Sequence, residues 1–119
     1  MFFYLSFIIA AALGASFRLQ ISQWILTPWG TLSVNFLGSL LIGLLAFGMR
    51  DSSLKSVLMI AFLGSLTTYS SFSLDLVKLI QGGETVRALS YFLLTNIFCV
   101  GGCLVGARVG VLFQQPQGL

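Results

Sequence analysis

The chain has 119 residues, of which 57% are hydrophobic and 8% charged, and its mean hydropathy is +1.01. So few charges cannot cover a soluble domain of this size, which leaves a membrane protein. Six scattered Lys and Arg against three Asp and Glu make no basic patch for nucleic acid, and with no His the commonest general base and metal ligand is missing.

Four apolar segments follow one another, expected to form one four-helix transmembrane domain over residues 1–119. The first covers about residues 2–18. Met1 to Ala12 is apolar and ends in small residues, as a signal peptide would. No basic stretch precedes it, however, and the run continues to Arg18, so it is read as a retained span. Ala10, Gly14 and Arg18 recur at spacing four, giving one face small residues and then a cation. Trp24 and Trp29 flank Pro28 in the connection, as in an interfacial aromatic belt.

The second span is expected over about residues 32–49, with Gly30-Thr31 as its start. Asn35, Ser39 and Gly43 share one of its faces at spacing four. A lone Asn in a span either bonds a neighbouring helix or lines a pathway, and the residues alone leave both open.

The third segment, about residues 54–80, is longer than the roughly 20 residues a crossing needs. Within it lies GSLTTYSSFSLD, from Gly64 to Asp75, mostly Ser, Thr, Tyr and Asp. In hydrocarbon such a run must face protein or a water-filled path. Length and polarity together predict a helix broken in its middle, with Gly64 tolerating unusual backbone angles. Gln81-Gly82-Gly83-Glu84 is a turn.

The fourth span is expected over about residues 88–113. Thr95, Cys99 and Cys103 form a weakly polar stripe at spacing four, and Gly102, Gly106 and Gly110 an adjacent packing stripe. Asn96 is expected as another buried polar group. Gln114 to Leu119 is a short polar tail, expected to fray. Cys99 and Cys103 lie one helical turn apart, which fits packing rather than a disulfide or a metal site.

Basic residues do not decide the orientation. Arg50, Lys55 and Arg108 fall on one side, Arg18, Lys78 and Arg87 on the other. The positive-inside rule then has nothing to choose between, and both orientations are open. Oppositely inserted copies could pair antiparallel and enclose a pore that four short helices cannot enclose alone.

The chain resembles the Fluc fluoride channels, also called the CrcB family. The resemblance rests on Gly14-Ala15-Ser16-Phe17-Arg18, on residues 30–39 (GTLSVNFLGS), and above all on residues 64–73 (GSLTTYSSFS), similar to the family's G-x-x-T-T-F-S-T-F-S. It implies an all-α membrane protein of four helices, an antiparallel dual-topology dimer and passive fluoride conduction across the cell membrane. It also implies roles for single residues. Gly64 and Thr67 would hold a structural sodium ion through their carbonyls at the dimer centre. Tyr69 and Phe72 would line the fluoride pathway, with Asn35 as an amide donor and Ser70 and Ser71 beside the rings. Thr95, Cys99 and Cys103 would form a polar track, and Arg18 would stand at the vestibule. Two departures from the family pattern are Tyr69, where phenylalanine is usual, and Cys99 and Cys103, where hydroxyls are usual; a thiol is a weaker donor. They admit a paralogous subunit as a heterodimer partner in place of a second identical copy.

The main rival is a small multidrug-type, proton-coupled exporter. It would need a carboxylate embedded in a span, and Asp75 is the only candidate. Asp75 could equally be a pathway-end group, a helix cap or a counter-ion to Lys78. A purely structural assembly protein is the third reading. No nucleophile–base pair or phosphate-binding loop suggests an enzyme.

Overall fold

The computed structural model describes residues 1–114, so of the polar tail only Gln114 falls within it. Four helical spans are long and apolar enough to cross a membrane: Phe2–Trp24, Trp29–Gly48, Ser53–Gln81 and Thr85–Gln114. The protein is thus a multi-pass, all-helical membrane protein.

Helix α1 (Phe2–Trp24) does not stop at Arg18, as the charge suggested. No Gly or Pro interrupts residues 19–23, and Arg is itself a good helix former. The helix ends where Ile25 turns extended, ahead of Pro28. Helix α2 (Trp29–Gly48) starts directly after Pro28.

The third span is composite. Ser52 caps α3 (Ser53–Ser56) by accepting the Lys55 backbone N–H at 3.1 Å. A π-helix (Val57–Leu63) and the short α4 (Gly64–Leu66) follow. Thr67 (φ −84°, ψ 155°) and Thr68 (φ −152°, ψ 116°) are extended, and α5 (Tyr69–Gln81) begins directly after them. Gly64 itself has ordinary helical angles, contrary to the expectation placed on it. The extended residues are β-branched threonines, which fit that conformation well. Gly83 takes a positive φ of 77° in the turn before α6 (Thr85–Gln114).

Helices α2 and α6 pack along their length through glycines. A Cβ on Gly43 would run into the Cys103 carbonyl oxygen, and one on Gly106 into the Leu40 carbonyl oxygen. One on Gly110 would lie 2.6 Å from the Leu44 carbonyl oxygen. Lipid supplies no hydrophobic force between spans, so such close backbone approach is what holds them. Gly14 of α1 does the same against the Phe62 carbonyl of the π-helix. The interior divides into two clusters. Val34, Leu63 and Leu66 pack with Phe62 and Leu45; Phe72, Leu79, Ala88 and Tyr91 pack where α5 meets α6. The whole is a slab 19 Å thick, about two helix diameters, with broad apolar faces.

Gly106→Ala is expected to destabilise the fold by about 1–3 kcal/mol, because the added methyl meets backbone that cannot step aside. Gly101→Ala adds the same atom into open space and should be neutral. Melting temperatures of the two variants in detergent make the comparison.

Candidate functional site

A cavity of about 310 Å³ opens beside the extended pair, between α2, the third span and α6. Its polar lining comes from Asn35, Ser39, Thr67, Thr68, Thr95, Asn96 and Cys99, and its aromatic lining from Tyr69 and Phe72. None of its lining residues is charged. Gly38 admits the Thr67 side chain, whose methyl a Cβ there would strike.

Asn35 organises this region. Its Nδ2 donates to the Thr68 carbonyl at 2.9 Å, and its Oδ1 accepts the Thr68 N–H at 2.7 Å. In an unbroken helix that N–H would bond the Gly64 carbonyl four residues back. The side chain of α2 therefore supplies to Thr68 the pair of bonds its own helix does not. Of the two roles left open for Asn35, it fills the first directly, and it also lines the cavity.

The hydroxyls nearby close the start of α5. Thr68 Oγ1 accepts the Ser71 backbone N–H at 3.2 Å, an N-cap that satisfies one of the helix's orphan donors. The same oxygen lies 3.2 Å from Ser70 Oγ and 3.1 Å from Ser71 Oγ. Ser70 and Ser71 do not line the cavity; they belong to this capping cluster. Phe72 is buried and lines the cavity, whereas Tyr69 is 79% exposed, its ring 5.5 Å from that of Phe72.

The stripe on α6 divides. Thr95 is buried, and its Oγ1 has no hydrogen-bond partner among the described residues. Cys99 is half-buried and lines the cavity; Cys103, one turn on, does not line it. Asn96 is exposed rather than buried. Its Nδ2 donates to the Phe92 carbonyl of its own helix at 2.7 Å, so the expectation fails by one residue of helical phase.

Asp75 stands outside the cavity lining. Its carboxylate is buried, accepting from the Thr31 hydroxyl at 2.7 Å and from the Tyr91 hydroxyl at 3.4 Å. It makes no ion pair with Lys78 among the described residues. Sequence reasoning missed Thr31 and Tyr91. Tyr91 had a signal, since it continues the spacing-four series of Thr95, Cys99 and Cys103 one turn earlier; Thr31 had only its place before an apolar run.

Two backbone carbonyls at the extended pair are released from helical bonding. The Gly64 carbonyl lacks its usual helical donor, because Thr68 N–H is bonded to Asn35. The Thr67 carbonyl likewise loses the Ser71 N–H to the Thr68 hydroxyl. Arg18 Nη1 reaches that Thr67 carbonyl at 3.4 Å, a long contact that leaves a lone pair free. Two carbonyls of one chain are too few to complete a cation's shell.

Asn35→Ala is expected to strand both Thr68 backbone groups in an apolar interior, at a cost of about 1–3 kcal/mol. Accelerated hydrogen exchange at the Thr68 amide, above the change at distant amides, is the specific readout.

The family model described as "CrcB-like protein, Camphor Resistance (CrcB)" matches residues 5–107. A relative from Hahella chejuensis named fluoride-specific ion channel FluC is 38% identical, covering 77% of this chain and 81% of its own length. One of the same name from Pseudomonas putida strain F1 is 42% identical, over 76% of this chain and 80% of its own. A third, from Sulfurovum sp., is 39% identical over 88% of each. With a family model spanning most of its length and relatives this similar over three quarters or more of it, the chain belongs to the CrcB family.

Proposed function

We propose that this protein is a fluoride-selective ion channel that lets fluoride leave the cell passively and so confers resistance to it. The observation that carries the reading is the cavity beside Thr67 and Thr68, lined by polar, aromatic and aliphatic side chains and by none that is charged. A small anion with a tightly held hydration shell needs replacement donors along its path. Amides, hydroxyls and ring edges supply them without a fixed cation that would trap it. The unpartnered Thr95 hydroxyl is one such donor, and the Phe72 edge another. After its two bonds to Thr68, Asn35 retains one N–H to offer. The fluoride-specific names of the relatives support the same reading.

The working unit in this reading is an antiparallel, dual-topology dimer whose third span acts as a broken helix, with two copies of this chain or this chain and a paralogue. Its support is the balanced charge of the two loop sides, the thinness of the slab and the exposure of Tyr69, a lining residue of the cavity. Within it, Gly64 and Thr67 of both copies would hold a structural sodium ion, which would supply fixed positive charge near the pathway. Ser70, Ser71 and Cys103 act on the pathway from beside it, and Arg18 attracts anions from the vestibule. A proton-coupled exporter is disfavoured because Asp75, the carboxylate it would need, is held by Thr31 and Tyr91 outside the cavity lining.

Liposomes containing the purified protein are expected to release fluoride and to retain chloride; equal chloride release would end the selectivity claim. Phe72→Ile and Asn35→Asp should each slow the release by roughly tenfold or more, a barrier increase of about 1.4 kcal/mol. For the dimer, a C-terminal tag should be accessible from both faces of the membrane in one preparation. The same dimer should melt at a lower temperature when sodium is exchanged for choline. A tag seen from one face only, or a melting point indifferent to sodium, would remove those two parts separately.

A further inference from the structure

A second cavity, of about 470 Å³, lies at the far end of the α2–α6 pair, where α2 stops at Gly48 and α6 reaches Gln114. Phe47 and Val111 are among its apolar lining residues, while Arg50, Asp51, Lys55 and Gln114 provide its polar groups. We propose that it binds the headgroup of an anionic phospholipid, with the phosphate on Arg50 and an acyl chain along Phe47 and Val111.

The charges show which group remains available. Lys55 Nζ uses its three donors on the Ala46 carbonyl (2.9 Å), the Met49 carbonyl (3.0 Å) and Asp51 Oδ1 (3.0 Å). It thereby neutralises both the C-terminal carbonyls of α2 and the Asp51 carboxylate, whose side chain is otherwise turned fully to water. Arg50 makes no ion pair among the described residues. Among the described residues the cavity is left with one guanidinium that has no ion-pair partner, a planar fork suited to a phosphate. The Gln114 amide adds an uncharged donor.

Location selects lipid over a free anion. Helix α2 ends at this level, and α6 reaches it within the described residues, so Arg50 lies just beyond the apolar length of α2, at the depth of headgroups. Phe47 and Val111 are exposed and lead from the cavity on to the apolar outer surface. Basic pockets between helix ends are a recurrent form of headgroup recognition. The site shares none of the lining residues of the Thr67–Thr68 cavity, so it stands whether or not the chain conducts fluoride.

The test is thermal melting of the full protein in detergent micelles doped with phosphatidylglycerol, phosphatidylcholine or inorganic phosphate. Phosphatidylglycerol is expected to raise the melting temperature by a few degrees, with no rise from the other two. Arg50→Gln should lose that rise. Arg108→Gln, at an exposed cation of the same membrane side outside the cavity, should keep it. A rise that survives in Arg50→Gln, or disappears equally in Arg108→Gln, overturns the site in favour of diffuse surface charge. An equal rise with inorganic phosphate overturns the lipid assignment, as does the lack of any difference between the two lipids.

Discussion

Two hydrogen bonds, from the Asn35 side chain to the Thr68 N–H and carbonyl, are the constraint on which the cavity depends. In hydrocarbon no water waits to satisfy a backbone group that leaves its helix. A span can therefore unwind only where another part of the protein offers a matched donor and acceptor. A primary amide offers both from one planar group, which is why an Asn can bridge a single residue's N–H and C=O. With Thr68 held this way, the Thr68 hydroxyl is free to cap α5, and Gly64 and Thr67 present carbonyls without their usual helical donors.

The clamp works only if α2 is held at a fixed distance from the third span. The glycines decide that distance. Gly38 receives Thr67, while Gly43, Gly106 and Gly110 bring α2 and α6 into backbone contact. Thr95 and Cys99 are thereby carried to the same cavity as Asn35 and Phe72. Packing and chemistry are thus not separate here. The small residues that look like mere glue set the width of the space in which the polar groups converge.

The buried Asp75 shows the same economy on the other side of Phe72. A carboxylate inside a span is tolerated where hydroxyls surround it, and Thr31 and Tyr91 provide them from two different helices. It ties α2, α5 and α6 together at one point. The Tyr91 ring also packs against Phe72, at 5.3 Å between centroids, so the carboxylate cluster backs directly on a residue of the cavity wall.

Much of this was legible in the residues. Composition alone determined a membrane protein, hydropathy its four spans, and the polar run at 64–75 a stretch that had to find partners within the protein. These follow from local rules, because transfer into lipid is a property of each segment by itself. Other features were decided only by tertiary structure. Which residues leave the helix depended on where Asn35 reaches, and they are Thr67 and Thr68, not the glycine at 64. Asn96 and Thr95 are neighbours of similar polarity that both border the cavity, yet one is exposed and the other buried, since successive residues of a helix point about 100° apart. Thr31 and Tyr91 meet Asp75 from 44 and 16 residues away. Spacing along the chain fixes which residues share a helix face, but the pairing of faces is a property of packed helices, and there the side chains acquire their partners.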